Sequence, residues 1–288
     1  MQAYDNKTSK GLGIGVRRII AYIVLVFLTF LCLFWFYVLF INATRSNANL
    51  SKGFTPLPGG NFLENWKNMR EGKLPVFNGM INSFFIASCS AILSTYFSTM
   101  TAFAIHAYNF KFKNAIFTFI LMIMTIPTQV TALGFIRLVD RMGLMNTYVP
   151  LIVPSIAAPV CFFYMKQYME STLPLAFVEA ARIDGSSEFH TFNFIVLPMM
   201  KPAIAVQAIF TFVGSWNNYF TPALVLTADD KKKTLPILIA QLRSADWLKF
   251  DMGQVYMLIA FSIFPVIVVY LFLSRFIVQG VALGGVKG

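Results

Sequence analysis

The chain has 288 residues, of which 57% are hydrophobic and 12% charged, and its mean hydropathy is +0.67. Soluble domains carry about 25% charged residues, so the composition argues against a soluble domain, a disordered chain or a secreted disulfide scaffold and points to an integral membrane protein. The net charge of +11 sits on Lys and Arg placed between apolar runs, which suits an anionic lipid surface; no basic motif for nucleic acid is present.

Crossing the hydrocarbon core takes about 20 apolar residues at roughly 1.5 Å each, so the informative features are long gaps between charges. Six such windows occur: Ile19–Ile41, Leu74–Phe110, Asn114–Ile136, Met142–Met165, Pro202–Ala228 and Met252–Ser274. They predict helices at 19–41, 79–107, 114–136, 145–165, 202–226 and 253–274, an all-α membrane protein with six transmembrane helices. The expected layout is a segment 1–18, then one six-helix domain over 19–288 ending in a tail at 275–288. The first window follows Lys7, Lys10, Arg17 and Arg18. Its 23 residues exceed the usual 7–15 of a signal core and no A-x-A site follows, so an uncleaved anchor is expected. Short segments rich in Lys/Arg near helix ends favour an inward N-terminus. The loop 42–73, with Pro56, Pro58, Gly59, Gly60 and Trp66, reads as an ordered surface loop. Cys32, Cys89 and Cys161 lie inside apolar runs without disulfide or zinc spacing.

Between the fourth and fifth windows lies a segment of different character, 171–198. Ser171 or Thr172 can cap a helix, Pro174 suits a first turn and Gly185 suits a stop. A helix of about ten residues is unstable alone in water and must pack on something. The residues by themselves leave open a connector or an amphipathic helix lying on the membrane.

Glu179-Ala180-Ala181, then Gly185, then Ile195, Leu197 and Pro198 resemble the EAA motif of permease subunits in binding-protein-dependent ABC importers. Asp184-Gly185, Pro202 and the ending Gln279-Gly280…Gly284-Gly285-Val286-Lys287-Gly288 are similar to the carbohydrate branch, in particular to the maltose-type second permease. The resemblance covers essentially the whole chain. It implies a short cytoplasmic coupling helix between helices four and five, with Glu179, Ala180, Ala181, Asp184, Gly185 and Pro198 engaging an ATPase. It also implies a tail (Gln279, Gly280, Lys287, Gly288) that reaches the ATPase dimer. Its implied partners are a second permease forming a heterodimer, two ATPase subunits that bind ATP and Mg, an extracytoplasmic sugar-binding protein and membrane lipid. The implied location is the bacterial cytoplasmic (inner) membrane, multi-pass, with both termini cytoplasmic.

The chain itself carries no cofactor or metal motif. No G-x-x-x-x-G-K-[ST] loop exists, so ATP hydrolysis falls to a separate subunit, and no nucleophile, acid/base or metal set marks an enzyme. His106 and His190, the only two histidines, read as structural. The windows lack Asp, Glu, Lys and Arg, which argues against an ion-coupled transporter. Candidate path residues are Gln129, Gln207, Thr211, Trp216, Asn217, Asn218 and Tyr219, because amides can meet sugar hydroxyls and aromatic rings can meet sugar faces; the aromatics would equally form an interface belt. Ser83, Ser90, Ser94, Ser98 and Thr101 read as close helix packing. Asp229–Lys233 reads as a solvated outer face, with contact to a binding protein as the alternative the resemblance offers. The expected cargo is a sugar, an oligosaccharide in particular, with a polyol or glycerol phosphate as the alternative.

Overall fold

A computed structural model describes residues 14–244 and 251–284, with side chains for 15–242 and 251–276. Among the described residues every regular element is helical. Chain contacts divide the molecule into two compact units, Met1–Trp66 with Asp251–Ala260, and Lys67–Phe250 with Phe261–Gly288.

The first unit is built on α1 (Ile14–Ala43), whose side chains are exposed almost throughout 15–40, followed by the short α2 (Asn47–Leu50) and α3 (Phe62–Glu71). The last carbonyls of a helix lack intrahelical donors. At the end of α1 the Asn65 amide supplies them, donating to Ala43 O at 2.8 Å and Arg45 O at 2.9 Å. Arg45 is itself buried, and its guanidinium donates to Asn42 Oδ1 at 3.3 Å, Gly53 O at 3.0 Å and Asn49 O at 2.5 Å. Gly253 lies against the same knot: a Cβ there would sit 2.7 Å from Asn65 Oδ1 and 2.8 Å from Arg45 O.

The second unit is organised by α4 (Val76–Ala107), whose 32 residues reach about 48 Å at 1.5 Å per residue. Gly79, Ser83, Ala87, Ser90, Ala91, Ser94, Ser98 and Ala102 form its buried side. Small side chains let neighbouring backbones approach closely, and the bonds follow: Ser98 Oγ donates to Ala158 O at 3.4 Å and Ser90 Oγ to Leu151 O at 3.5 Å. Thr101 is exposed and bonds its own helix at Phe97 O. Around α4 come α5 (Lys113–Ile123), α6 (Thr128–Arg141), α7 (Val149–Ile152), a 3-10 turn (Val153–Ile156), α8 (Pro159–Thr172), α9 (Leu175–Ile183) and α10 (Glu188–Thr191). A π segment (Phe192–Val196) leads into α11 (Leu197–Met199), α12 (Lys201–Trp216), α13 (Phe220–Val225), α14 (Leu235–Ser244) and α15 (Met252–Gly284). The main packing partners of α4 are α12 and α8.

Among the described residues four helical stretches, Gly15–Ala43, Val76–Ala107, Val149–Thr172 and Met252–Phe276, are long and apolar enough to cross a membrane. Two further pairs qualify only when taken together: Lys113–Ile123 with Thr128–Arg141, bent by 97°, and Glu188–Met199 with Lys201–Trp216, bent by 80°. The charge gaps predict unbroken helices over 114–136, 145–165 and 202–226, and proline explains the breaks in the first two. Pro127 disfavours α conformation at Ile126 and lacks a donor, so the helix expected over 114–136 breaks between α5 and α6. Pro150, Pro154 and Pro159 divide the helix expected over 145–165. The helix expected over 202–226 ends at Trp216, and α13 follows as a separate short piece. The last helix runs to Gly284, so Gln279 and Gly280 of the expected tail belong to helical backbone; Lys287 and Gly288 lie outside the described residues.

Candidate coupling segment and membrane cavity

Leu173 and Pro174 turn the chain sharply between α8 and α9. Pro174 takes the N-cap position with extended ψ of 134°, and it offers no side-chain cap. Ser171 does not cap α9; its hydroxyl donates within α8 to Tyr168 O at 2.8 Å. The far end of α9 is closed by backbone. Ser186 N donates to Ala181 O at 2.9 Å and Gly185 N to Arg182 O at 3.1 Å, the Schellman pattern, which needs a left-handed residue just after the helix. Gly185 supplies it at φ +76°.

These two ends hold a nine-residue helix with two unlike sides. Val178, 1% exposed, joins a buried cluster with Phe103 and Ile105 of α4, Met165 and Met169 of α8, and Phe192 and Val196, and Ala181 is buried as well. Leu175, Phe177, Glu179, Ala180, Ile183, Asp184 and Gly185 point outward, Ile183 being 87% exposed. Of the sequence-predicted coupling residues, Glu179, Ala180, Asp184 and Gly185 therefore share the open side, whereas Ala181 packs inside its own chain. Pro198 lies in α11, after the π segment, and its missing N–H falls where the wider turn has already displaced the regular helical bond.

Three polar contacts fasten this corner to the end of α4. Tyr108 Oη donates to Glu188 Oε2 at 2.5 Å. Arg182 Nε donates to Glu188 Oε1 at 2.7 Å, and the guanidinium lies 5.2 Å over the Tyr108 ring. His106 Nε2 lies 3.0 Å from Leu173 O. The hydrogen bonds from Arg182 and then Tyr108 hold the Glu188 carboxyl below the usual range; partial burial, followed by Glu188, pushes the Tyr108 phenol up. His190 stacks on Phe194 with centroids 4.4 Å apart, so both histidines have structural contacts. Lys166 pairs with Glu170 and lies over the Phe117 ring.

Toward the opposite end of α4 lies a cavity of about 640 Å³, bounded by α4, α6, the α7 region, the end of α12 and α13. Its polar lining comes from Ser83, Thr128, Thr131, Ser215, Asn218, Thr221 and Thr234, and its lining residues include no Asp, Glu, Lys or Arg. Thr234 is 3% exposed and its hydroxyl has no hydrogen-bond partner. Among the sequence-predicted path residues only Asn218 lines this space, with Oδ1 accepting from Thr221 N at 3.4 Å. Gln129 is exposed beside it in α6; Gln207 and Thr211 lie within α12, Gln207 buried. Trp216 is 4% exposed and stacks on Phe212, while Asn217 and Tyr219 are exposed. The threonines that do line the cavity were missed because each is ordinary in its sequence setting. Thr128 and Thr131, three apart after a proline, are the nearest thing to a signal.

Beyond the cavity the loop after α13 is tied down. Asn146, at φ +60°, accepts from Thr227 N and Ala228 N at 2.8 Å each, and the Asn82 amide donates to Lys231 O at 2.8 Å and Lys233 O at 3.0 Å. Asp230 pairs with Lys233 at 2.5 Å.

Residues 94–282 match the model of the family described as the binding-protein-dependent transport system inner membrane component. The chain belongs to this family. It is 32% identical over 280 residues to the arabinooligosaccharides transport system permease protein AraQ of Bacillus subtilis, covering 95% of this chain and 97% of that one. The protein of the same name from Halalkalibacterium halodurans is 37% identical over 210 residues, covering 72% and 73%. The sn-glycerol-3-phosphate transport system permease protein UgpE of Salmonella typhi is 30% identical over 254 residues, covering 86% and 90%. Among solved structures, a bacterial ABC transporter involved in the import of the acidic polysaccharide alginate superposes with a TM-score of 0.77 at 20% identity, covering 93% of this chain and 99% of that one; this likeness speaks to the fold. The chain is thus a multi-pass membrane permease subunit of the ABC importer type, a transport component in kind.

Proposed function

We propose that the chain crosses the membrane six times, α5 with α6 supplying one of the two further spans and α12 the other, as one half of a heterodimeric permease that imports a neutral, hydroxyl-rich solute, an oligosaccharide. The fifth span enters the hydrocarbon at α12, so that α10 with Glu188 stays outside it. The observation that carries the cargo class is the cavity: hydroxyls and one amide among apolar walls, no charged lining residue, and the unpaired Thr234 hydroxyl. A buried hydroxyl without a partner is costly, and a sugar hydroxyl would satisfy it. The arabinooligosaccharide permeases among the relatives support this reading. Glycerol phosphate is the second reading, favoured by the UgpE relatives; a dianion in this cavity would meet no cation.

The coupling reading rests on α9. An apolar, solvent-facing Ile183 and Phe177 beside Glu179 make a short knob that calls for a partner surface. Two separate ATPase subunits, holding ATP and Mg, receive this knob and its counterpart on the second permease. Closure of the ATPases moves α9, the Tyr108–Glu188–Arg182 contacts pass that movement to α4, and α4 carries it to the cavity. An extracytoplasmic sugar-binding protein delivers the cargo on the side of the 226–234 loop. The N- and C-termini and α9 then face the cytoplasm of a bacterial cell.

The test is to purify the subunit with its associated proteins and measure ATP turnover in lipid with candidate binding proteins loaded with different sugars. Turnover that needs the associated subunits and rises with one oligosaccharide supports the reading. Stimulation by glycerol phosphate alone would move the cargo to the second reading, and solute movement by the isolated chain down an ion gradient would overturn both.

A further inference from the structure

A second space, about 730 Å³, lies between α4, the π segment with α11, α12 and α15, apart from the cargo cavity. Its walls are apolar along most of their length: Ile92, Ile204, Ala208, Val268 and Leu273 are typical. Its two ends differ. At one end Phe84 and Phe212 meet edge to face at 5.7 Å. The other end carries Lys201, Asn193 and Tyr96. Just beyond it Arg275 lies 5.0 Å over the ring of Phe272, a wall residue. Among the described residues Lys201 and Arg275 are both exposed and neither has a carboxylate partner.

The dimensions are those of one leaflet. Lys201 and Phe212 are eleven residues apart on one helix, about 16 Å at 1.5 Å per residue, and half of a hydrocarbon core is about 15 Å. An apolar slot of that depth, with aromatic rings at one end and a cation at the other, matches a phospholipid in both length and charge. Basic pockets between membrane helices are a recurrent form of lipid recognition. We propose that this groove is a binding site for one anionic phospholipid, an acyl chain lying along α12 and α15 and the phosphate held by Lys201 with Arg275 beside it. The Asn193 amide is already engaged, its Nδ2 donating to Phe189 O and its Oδ1 accepting from Tyr96, so selection rests on the cations. The lipid would thereby sit against the 80° corner between α11 and α12, bracing the segment that follows α9.

The experiment uses the full permease with its associated subunits in nanodiscs of phosphatidylcholine containing a minority of phosphatidylglycerol, followed by mild extraction and native mass spectrometry of retained lipid. The wild-type assembly is expected to retain phosphatidylglycerol several-fold above its share in the disc. Lys201→Gln should remove that preference, and Ala208→Trp, which fills the slot, should remove retention of either lipid. Equal retention of both lipids, or retention unchanged in both variants, overturns the site. So does a disulfide between Ile92→Cys and a cysteine placed on the second permease, because it would show the groove covered by protein. Membrane integration of each variant is checked by co-purification of the associated subunits. The outcome is independent of the cargo, so this proposal and the oligosaccharide reading fail separately.

Discussion

Three glycines show how one missing Cβ can mean different things. Gly253→Ala would press a methyl into Arg45 O and the Asn65 amide at under 3 Å. Backbone and a twice-bonded amide cannot yield cheaply, so this variant should melt earlier than wild type. Gly185 has open space around it, but its φ of +76° lies in a region that costs other residues roughly 1–2 kcal/mol. Gly185→Ala should therefore weaken the turn after α9 with little loss elsewhere, seen as faster proteolysis near 183–188 at an unchanged melting temperature. Gly214 lies in α12 with ordinary backbone and open space where a methyl would go, and Gly214→Ala should be neutral or stabilising by about 0.5–1 kcal/mol. The Gly185 requirement was legible in the sequence, since a glycine after a short helix is a stop signal. Gly253 was not. Its reason is Asn65, which lies nearly two hundred residues away, and nothing local to Met252-Gly253-Gln254 announces that contact.

At the scale of elements, α9 separates fold from docking. Val178→Ala empties space inside the cluster of Phe103, Met165, Met169 and Phe192, and truncating buried aliphatic side chains costs about 1–3 kcal/mol, so thermal stability should fall. Ile183→Glu touches only the open side; it should leave stability and membrane insertion intact and abolish co-purification of the ATPase. Equal behaviour of the two variants would refute the two-sided reading. The position of α9 could be read from Pro174, Gly185 and the EAA spacing. Its inward residue Ala181 could not, because a nine-residue helix offers too few turns for periodicity to separate its sides. The broken helices failed for a different reason. Counting gaps between charges measures whether a stretch tolerates lipid and is blind to whether it is straight; Pro127, and Pro150, Pro154 and Pro159 further on, carried that information.

Across the whole molecule, α4 runs from one region of interest to the other. Ser83 lines the cavity and Tyr108 caps the helix beside α9, a separation of about 37 Å along the axis at 1.5 Å per residue. Tyr108→Phe combined with Glu188→Gln would remove the phenol donor and the carboxylate charge that fasten α4 to α9. Exposed pairs of this kind contribute only about 0–1 kcal/mol to stability, so the assembly should survive while sugar moved per ATP hydrolysed declines. The same contacts fix a pH dependence. The Glu188 carboxyl is held low, so the folded pKa lies below the unfolded one; its contribution is present above the ordinary carboxylate range and is lost as pH falls through the depressed value. Coupling measured between about pH 6 and 8, above that ordinary range, should thus be flat as far as this clamp is concerned, and a strong slope there would point to another group.

The π segment at Phe192–Val196 has a consequence for how this region can change over generations. A π turn holds one residue more than an α turn. Excising that residue would restore a regular helix, draw α10 about 1.5 Å closer to α11 and swing it through about 100°. Glu188 would then leave Tyr108, and the knob would face a new direction. A point substitution here changes one side chain, whereas a single-codon deletion re-aims the whole of α10, so the count of residues between Gly185 and Pro198 is itself a heritable part of the machine.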